Sequence, residues 1–230
     1  PSPIQEEVIP MILDRQSVIA RAKNGTGKTA AFLIPIINCI DESLPEIQAL
    51  ILVPTRELAL QTAAVIKELA KYLKIQCMVS TGGTQLREDI MRLDKIVHIV
   101  VATPGRILDL ANKRIARLHK CRFFVLDEAD KLISQDFQPI ILKIMDFLPK
   151  DHQVLLFSAT FPQNVAGFVR MIPNIQKVNL MTDLTLKGVT QYYAFLEEKE
   201  KVACINALFS RLKIQQAIIF CNSALRVELL

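Results

Sequence analysis

The run Ala22-Lys23-Asn24-Gly25-Thr26-Gly27-Lys28-Thr29 joins a short apolar segment to a longer one, Ala30 to Ile40. It dictates a strand, a tight phosphate-cradling turn and a helix. Gly25 and Gly27 permit backbone angles that a side chain would forbid and let the main chain approach phosphate closely. Lys28 is placed to reach β- and γ-phosphate oxygens, and the Thr29 hydroxyl is a ligand for Mg²⁺. A helix that starts there points its positive end at the anion. Ala22 stands where the usual GxxxxGKT pattern has its first glycine.

A second run completes the chemistry. Asp127-Glu128-Ala129-Asp130 ends the apolar segment Phe123-Phe124-Val125-Leu126. Asp127 is the candidate for holding Mg²⁺, directly or through water. Glu128 is the candidate for orienting or deprotonating an attacking water, help that supplies roughly 10²–10⁴-fold in rate. Neighbouring residues of a strand point to opposite faces. Both acids serve one site only if the strand ends at Asp127. Together the two runs describe a nucleoside triphosphate site.

Around them, short apolar runs alternate with amphipathic segments. Strands are expected at Ser17–Arg21, Ala49–Val53, Gln76–Ser80, His98–Ala102, Arg122–Asp127, Gln153–Phe157 and Lys177–Leu180. Helical patterns fall between them, among them Glu57–Tyr72, Gln85–Leu93 and Pro139–Leu148. Near-continuous Val/Ile/Leu strands separated by helices predict an α/β fold with a parallel sheet covered on both faces. Ligands of such sheets sit beyond the carboxyl ends of the strands, where all these motifs fall. After the polar stretch Met181–Gly188 a new unit is expected: a strand over Val189–Leu196, a helix over Lys199–Leu212 and a strand over Ala217–Cys221. The expected division is a domain over 1–182, a linker over 183–188 and the opening of a second α/β domain over 189–230.

Composition narrows the class. Of 230 residues 51% are apolar and 22% charged, which suits a packed globular chain and excludes a disordered one. Ala30–Ile40 is too short to span a bilayer, and no membrane association is expected. Five scattered cysteines form no CxxC pair and are read as small core residues of a reduced compartment. His98, His119 and His152 lack metal-ligand spacing. The net charge of +5 suits a nucleic-acid partner without requiring one.

Asp127-Glu128-Ala129-Asp130 also spells a family signature, and other runs agree. The chain resembles the DEAD-box RNA helicases, whose fold is a RecA-like parallel sheet. Pro1-Ser2-Pro3-Ile4-Gln5 is similar to that family's adenine-recognising Q motif, so Gln5 is expected to specify ATP. On the residues alone, Ser2 and Gln5 form an S-x-x-Q capping box with Pro3 at the first helical position. Pro54-Thr55-Arg56, Gly82-Gly83-Thr84 and Thr103-Pro104-Gly105-Arg106 resemble the family's RNA-backbone motifs. N–H groups and hydroxyls at strand ends and helix starts suit phosphate oxygens, and such contacts carry no base sequence. Thr103-Pro104-Gly105 reads equally as a helix-starting turn. Arg87, Arg92 and Lys95 read as a solvated helix face.

Ser158-Ala159-Thr160 matches the family's coupling motif, with the Ser158 and Thr160 hydroxyls placed to bridge Asp127 or Asp130. Ile219-Phe220-Cys221-Asn222-Ser223 resembles the first motif of the second domain. Ser134-Gln135-Asp136-Phe137 and Leu184 through Tyr193 resemble a branch that represses translation and activates mRNA decapping in cytoplasmic granules. The resemblance implies ATP and Mg²⁺ as cofactors and single-stranded or locally duplex RNA as partner, with mRNA-decay proteins beside it. The family completes its site with second-domain arginines from motifs absent here, and arginine fingers contribute on the order of 10³–10⁵ in rate. These 230 residues are therefore expected to bind ATP weakly and hydrolyse it at near-background rate. Rival readings are another phosphate-loop NTPase, such as a GTPase or a transport ATPase, with Gln5 arguing for adenine over guanine, and an ATP-gated RNA clamp with little unwinding.

Overall fold

The computed structural model describes residues 1–134, 136–181 and 190–230. It divides into two units, Pro1–Leu184 and Thr185–Leu230. The expected linker and the start of the expected strand at Val189 fall outside the described residues, as does Gln135.

The first unit runs α1 (Pro3–Leu13), β1 (Val18–Arg21), α2 (Lys28–Cys39), β2 (Ala49–Leu52), α3 (Arg56–Leu69), β3 (Cys77–Ser80), α4 (Leu86–Leu93), β4 (Ile99–Ala102) and α5 (Pro104–Asn112). It continues with β5 (Phe123–Asp127), the single turn α6 (Ala129–Leu132), α7 (Gln138–Met145), β6 (Gln153–Ser158), α8 (Gln163–Val169) and β7 (Gln176–Asn179). The strands form one sheet in the order β3-β4-β2-β5-β6-β1-β7. Every pairing in it is parallel.

Burial follows strand position. β2, β4, β5 and β6 are buried at every residue, as strands covered on both faces must be, whereas the outer β7 buries only Val178. The period of two sorts side chains into two cores. Val18 and Ala20 of β1, with Ala49 and Ile51 of β2, pack under Ile4 and Val8 of α1, Phe32 and Ile36 of α2, and Ala63 and Ile66 of α3. Ile19, Leu50 and Leu52 face the opposite way, toward Ile107 and Leu110 of α5, Ile141 and Ile144 of α7, and Phe168 of α8. Phe32 meets Phe157 of β6 at a ring separation of 5.0 Å, which fastens the helix after the phosphate loop to the sheet.

The second unit holds a short 3₁₀ turn, Glu198–Glu200, then α9 (Lys201–Arg211) and α10 (Ala224–Glu228). The expected helix over Lys199–Leu212 is present as α9. The two expected strands are not: residues 190–197 and 217–221 carry no strand. A strand exists only by pairing with another, and no described residue of this unit is buried, so it has neither ladder nor core to hold one.

The cysteines also depart from expectation. Cys121 is buried, but Cys39 is exposed and the others are intermediate. His98 is a core histidine, its Nδ1 accepting from the Gln76 N–H at 2.9 Å.

Candidate functional site: two halves of one sheet edge

The carboxyl edge of the sheet carries both motif sets, on different halves. The central neighbours β5, β6 and β1 end in Asp127, Ser158 and Arg21, each of which leads into one of the acidic, hydroxyl or phosphate-loop runs.

In the loop, Gly25 (φ 78°) and Gly27 (φ 91°) lie in the left-handed region, and Gly27 caps the helix that starts at Lys28. Lys28 Nζ donates to the carbonyls of Ala22 (2.7 Å) and Lys23 (3.0 Å) and to Asn24 Oδ1 (3.0 Å). Thr26 Oγ1 donates to the Lys23 carbonyl (2.8 Å). All three acceptors of the lysine are neutral, and a charged oxygen in their place would give it a stronger hydrogen bond. Thr29 stands in the first turn of α2.

Gln5 reaches this loop from α1. Its Oε1 accepts from the Ser2 N–H (3.0 Å), one arm of the capping box, and its Nε2 donates to the Gly27 carbonyl (3.3 Å). Ser2 Oγ beside it is buried without a hydrogen-bond partner.

Asp127 is only 5% exposed. Burial pushes its carboxyl up to about 6, against the Glu128 N–H that donates to Oδ1 (3.0 Å) and the Lys28 charge. Burial likewise lowers the Lys28 ammonium, opposed by Asp127, Glu128 and Asp130. The lysine of one run and the acids of the other thus share a site. Glu128 adopts φ 54°, ψ 50°, a left-handed conformation rare for a side chain bearing a Cβ. The strand ends there, so the two adjacent acids need not point to opposite faces. Glu128 Oε2 pairs with Lys131 Nζ at 2.7 Å, a contact that the sequence reading did not anticipate.

Residues 158–160 tie the runs together. The Ala22 N–H donates to the Ser158 carbonyl (3.2 Å), and Arg21 Nε to the Ala159 carbonyl (3.3 Å). Thr160 Oγ1 donates to Asp130 Oδ2, while Ser158 Oγ accepts from the Thr160 N–H at 3.2 Å. Of the two expected hydroxyl bridges, the Thr160 hydroxyl makes the one to Asp130.

The other half of the edge belongs to β3, β4 and β2. Pro54 and Thr55 follow β2, and the Thr55 hydroxyl caps α3 by accepting from the Leu58 N–H (3.2 Å). Arg56 is exposed at the first turn of α3. Gly82, Gly83 (φ 81°) and Thr84 form the turn after β3. Thr103 follows β4, accepting at Oγ1 from the Gly82 N–H (3.3 Å), and Pro104 and Gly105 open α5. Arg106 turns inward: Nη1 donates to Asp89 Oδ2 (2.9 Å) and Nη2 to the Thr84 carbonyl (2.5 Å). Sequence reasoning missed Asp89. The available clue is an acid on the apolar stripe Leu86, Ile90 and Leu93 of α4. Arg87, Arg92 and Lys95 are exposed as expected.

A parallel sheet with a glycine-rich strand-to-helix loop, an acidic turn and a hydroxyl bridge on adjacent strand ends has the architecture of the RecA-like helicase cores. The profile described as "DEAD/DEAH box helicase" matches residues 2–168, and the chain belongs to that family. Among curated relatives, ATP-dependent RNA helicase DHH1 of Eremothecium gossypii is 59% identical over 100% of this chain and 48% of its own length. Probable ATP-dependent RNA helicase ddx6 of Dictyostelium discoideum is 60% identical over 100% of this chain and 55% of its own. The chain therefore spans about half the length of such relatives. Among solved structures, S. cerevisiae Dbp5 bound to RNA and ADP BeF3 matches with a TM-score of 0.86 and 32% identity over 100% of this chain and 59% of that one. A DEAD box protein from Methanococcus jannaschii matches at 0.76 and 35%, over 92% and 57%.

Proposed function

We propose that this chain is the ATP-binding half of an ATP-dependent RNA helicase. The observation that carries the reading is the placement of the glycine-rich loop after β1 beside Asp127 at the end of β5, with β6 and its Ser158 carbonyl, which the Ala22 N–H meets, between them. ATP is held by residues 22–29, with Lys28 on the β/γ oxygens and the Gln5 amide, already aimed at the loop by Gly27, reading adenine. The donor set fits Mg²⁺. Asp127 offers a buried oxygen ligand whose charged form a cation would favour, and Thr29 offers a hydroxyl. When bound there, Mg²⁺ supplies charge neutralisation at the phosphates. Glu128 takes the proton of the attacking water at its carboxylate, and Thr160 and Asp130 relay the state of the phosphate end to the sheet edge.

RNA lies along the other half of the same edge, on Pro54–Arg56, Gly82–Thr84 and Thr103–Gly105, through its backbone, with Arg106 behind the 82–84 turn. Residues 189–230 are read as the start of a second RecA-like domain, with residues 183–188 as linker. The names of the DHH1 and ddx6 relatives, together with the runs at 134–137 and 184–193, support a cytoplasmic role in mRNA decay and translational repression among ribonucleoprotein partners. No helix of the described residues is long and apolar enough to cross a membrane.

Titrating ATP with and without single-stranded RNA on the full-length protein tests this, reading affinity and turnover together. RNA-stimulated turnover is the expected result. ATP binding that RNA neither tightens nor accelerates would contradict it.

A further inference from the structure

A buried acid sits behind the RNA half of the edge. Asp89 of α4 is 1% exposed. Its Oδ2 accepts from Ser80 Oγ at the end of β3 (3.0 Å) and from Arg106 Nη1 (2.9 Å), while Arg106 Nη2 holds the Thr84 carbonyl (2.5 Å). Thr84 Oγ1 closes the turn on the Thr81 carbonyl (2.9 Å), and Thr103 Oγ1 holds the Gly82 N–H from the side (3.3 Å). One carboxylate thus joins the end of β3, the 81–84 turn and the first turn of α5.

Among the described residues, the N–H groups of Gly83 and Thr84 donate to no acceptor, and the turn lies at the surface. With Gly83 at φ 81°, consecutive N–H groups of this kind form an anion-binding concavity. The guanidinium behind them is largely buried and already paired, its side chain 12% exposed. It is built to fix the turn rather than to meet a phosphate itself. Removing one member of a buried ion pair leaves the other charge uncompensated, so its geometry is tightly held.

We propose that Asp89 is a positioning residue for RNA binding: through Arg106 it sets the Gly82–Gly83–Thr84 turn so that the Gly83 and Thr84 N–H groups receive a backbone phosphate. The inference rests on the assignment of RNA to this half of the edge.

The test measures binding of a fluorescein-labelled oligouridylate by anisotropy across a salt series, in the full-length protein with a non-hydrolysable ATP analogue. Nucleotide affinity and thermal unfolding are read alongside. Asp89→Asn and Arg106→Lys are each expected to weaken RNA binding about tenfold, the scale of one lost charge-assisted contact, with nucleotide affinity within about twofold. In an Arg106→Ala background, Asp89→Asn is expected to add nothing further. Because the phosphate is met by neutral N–H groups, the slope of log affinity against log salt is expected to stay as in wild type for Arg106→Ala.

A slope lowered by about 0.7, the value for one lost cationic phosphate contact on a single strand, would make Arg106 a direct ligand and overturn the proposal. Wild-type RNA affinity in Asp89→Asn and Arg106→Lys, with Arg56→Ala weakened, would overturn it while leaving the RNA surface in place. Wild-type affinity in all of them, Arg56→Ala included, would remove the RNA surface and the proposal together. If Asp89→Asn fails to unfold cooperatively, Arg106→Lys carries the same comparison.

Discussion

Gln5 Nε2 donates to the carbonyl oxygen of Gly27 at 3.3 Å, so the helix that precedes the sheet is bonded to the glycine-rich turn between β1 and α2. Under the proposed assignment, adenine and phosphate recognition would be coupled through this one amide. The closeness has a consequence for Gly27. A Cβ there would lie 2.5 Å from Gln5 Nε2, and the φ of 91° already disfavours a side chain. Gly27→Ala should lower ATP affinity at least tenfold and cost on the order of 1–2 kcal/mol of stability. Nucleotide fluorescence titration and thermal unfolding check both; wild-type values in each would remove the packing argument.

Glu128→Gln keeps the shape of the turn and leaves Asp127 in place. ATP affinity in the full-length protein should stay within about threefold, while turnover falls roughly 10²-fold or more, the range for loss of a general base. A phosphate-release assay decides. Turnover that survives would move the base elsewhere.

Asp127 predicts a stability that runs against function. Its carboxyl is held at about 6, above its ordinary 3.8, because burial favours the neutral form. The folded protein therefore keeps a proton that the unfolded chain has released. Stability from this group is complete below pH 3.8 and is lost as pH rises through 6. The rise from 3.8 to about 6 corresponds to about 3 kcal/mol as an upper limit. Asp127→Asn should thus raise the melting temperature at pH 8 by several degrees, with the gain shrinking as pH falls from 7 to 4. It should also abolish the Mg²⁺ dependence of ATP binding. Thermal scans across pH would contradict this if the variant were less stable at pH 8.

Burial pushes the Cys77 and Cys121 thiols up to about 12. At pH 8 both should resist iodoacetamide in the folded protein, while exposed Cys39 is alkylated first. Peptide mapping of partly labelled protein reads the order, and early labelling of Cys121 would refute it.

The inner strands β2, β4, β5 and β6 were legible because strands buried on both faces are written as mostly apolar runs, as in Ile99–Ala102 and Phe123–Leu126, whereas the outer β3 and β7 bury only alternate or single residues. The phosphate loop was legible because Gly25 and Gly27 answer a backbone need that other residues meet poorly. Local spacing could not show that Arg106 turns inward, since its partner Asp89 comes from another helix and the pair is made by the fold. Nor could it show the Lys131 partner of Glu128, because a lysine three residues on pairs only once the turn at Glu128 is formed. In the second unit, the apolar runs at Val189–Leu196 and Ala217–Cys221 carried a strand pattern, but pattern becomes strand only against a partner.

Titration calorimetry of ATP into the protein and its Lys28→Ala variant, each with and without Mg²⁺, tests the shared phosphate site most directly. Binding tightened by Mg²⁺ in the wild type, and weakened at least tenfold with its Mg²⁺ response gone in Lys28→Ala, is the predicted result. Equal ATP affinity and an equal Mg²⁺ response in the two proteins would contradict it.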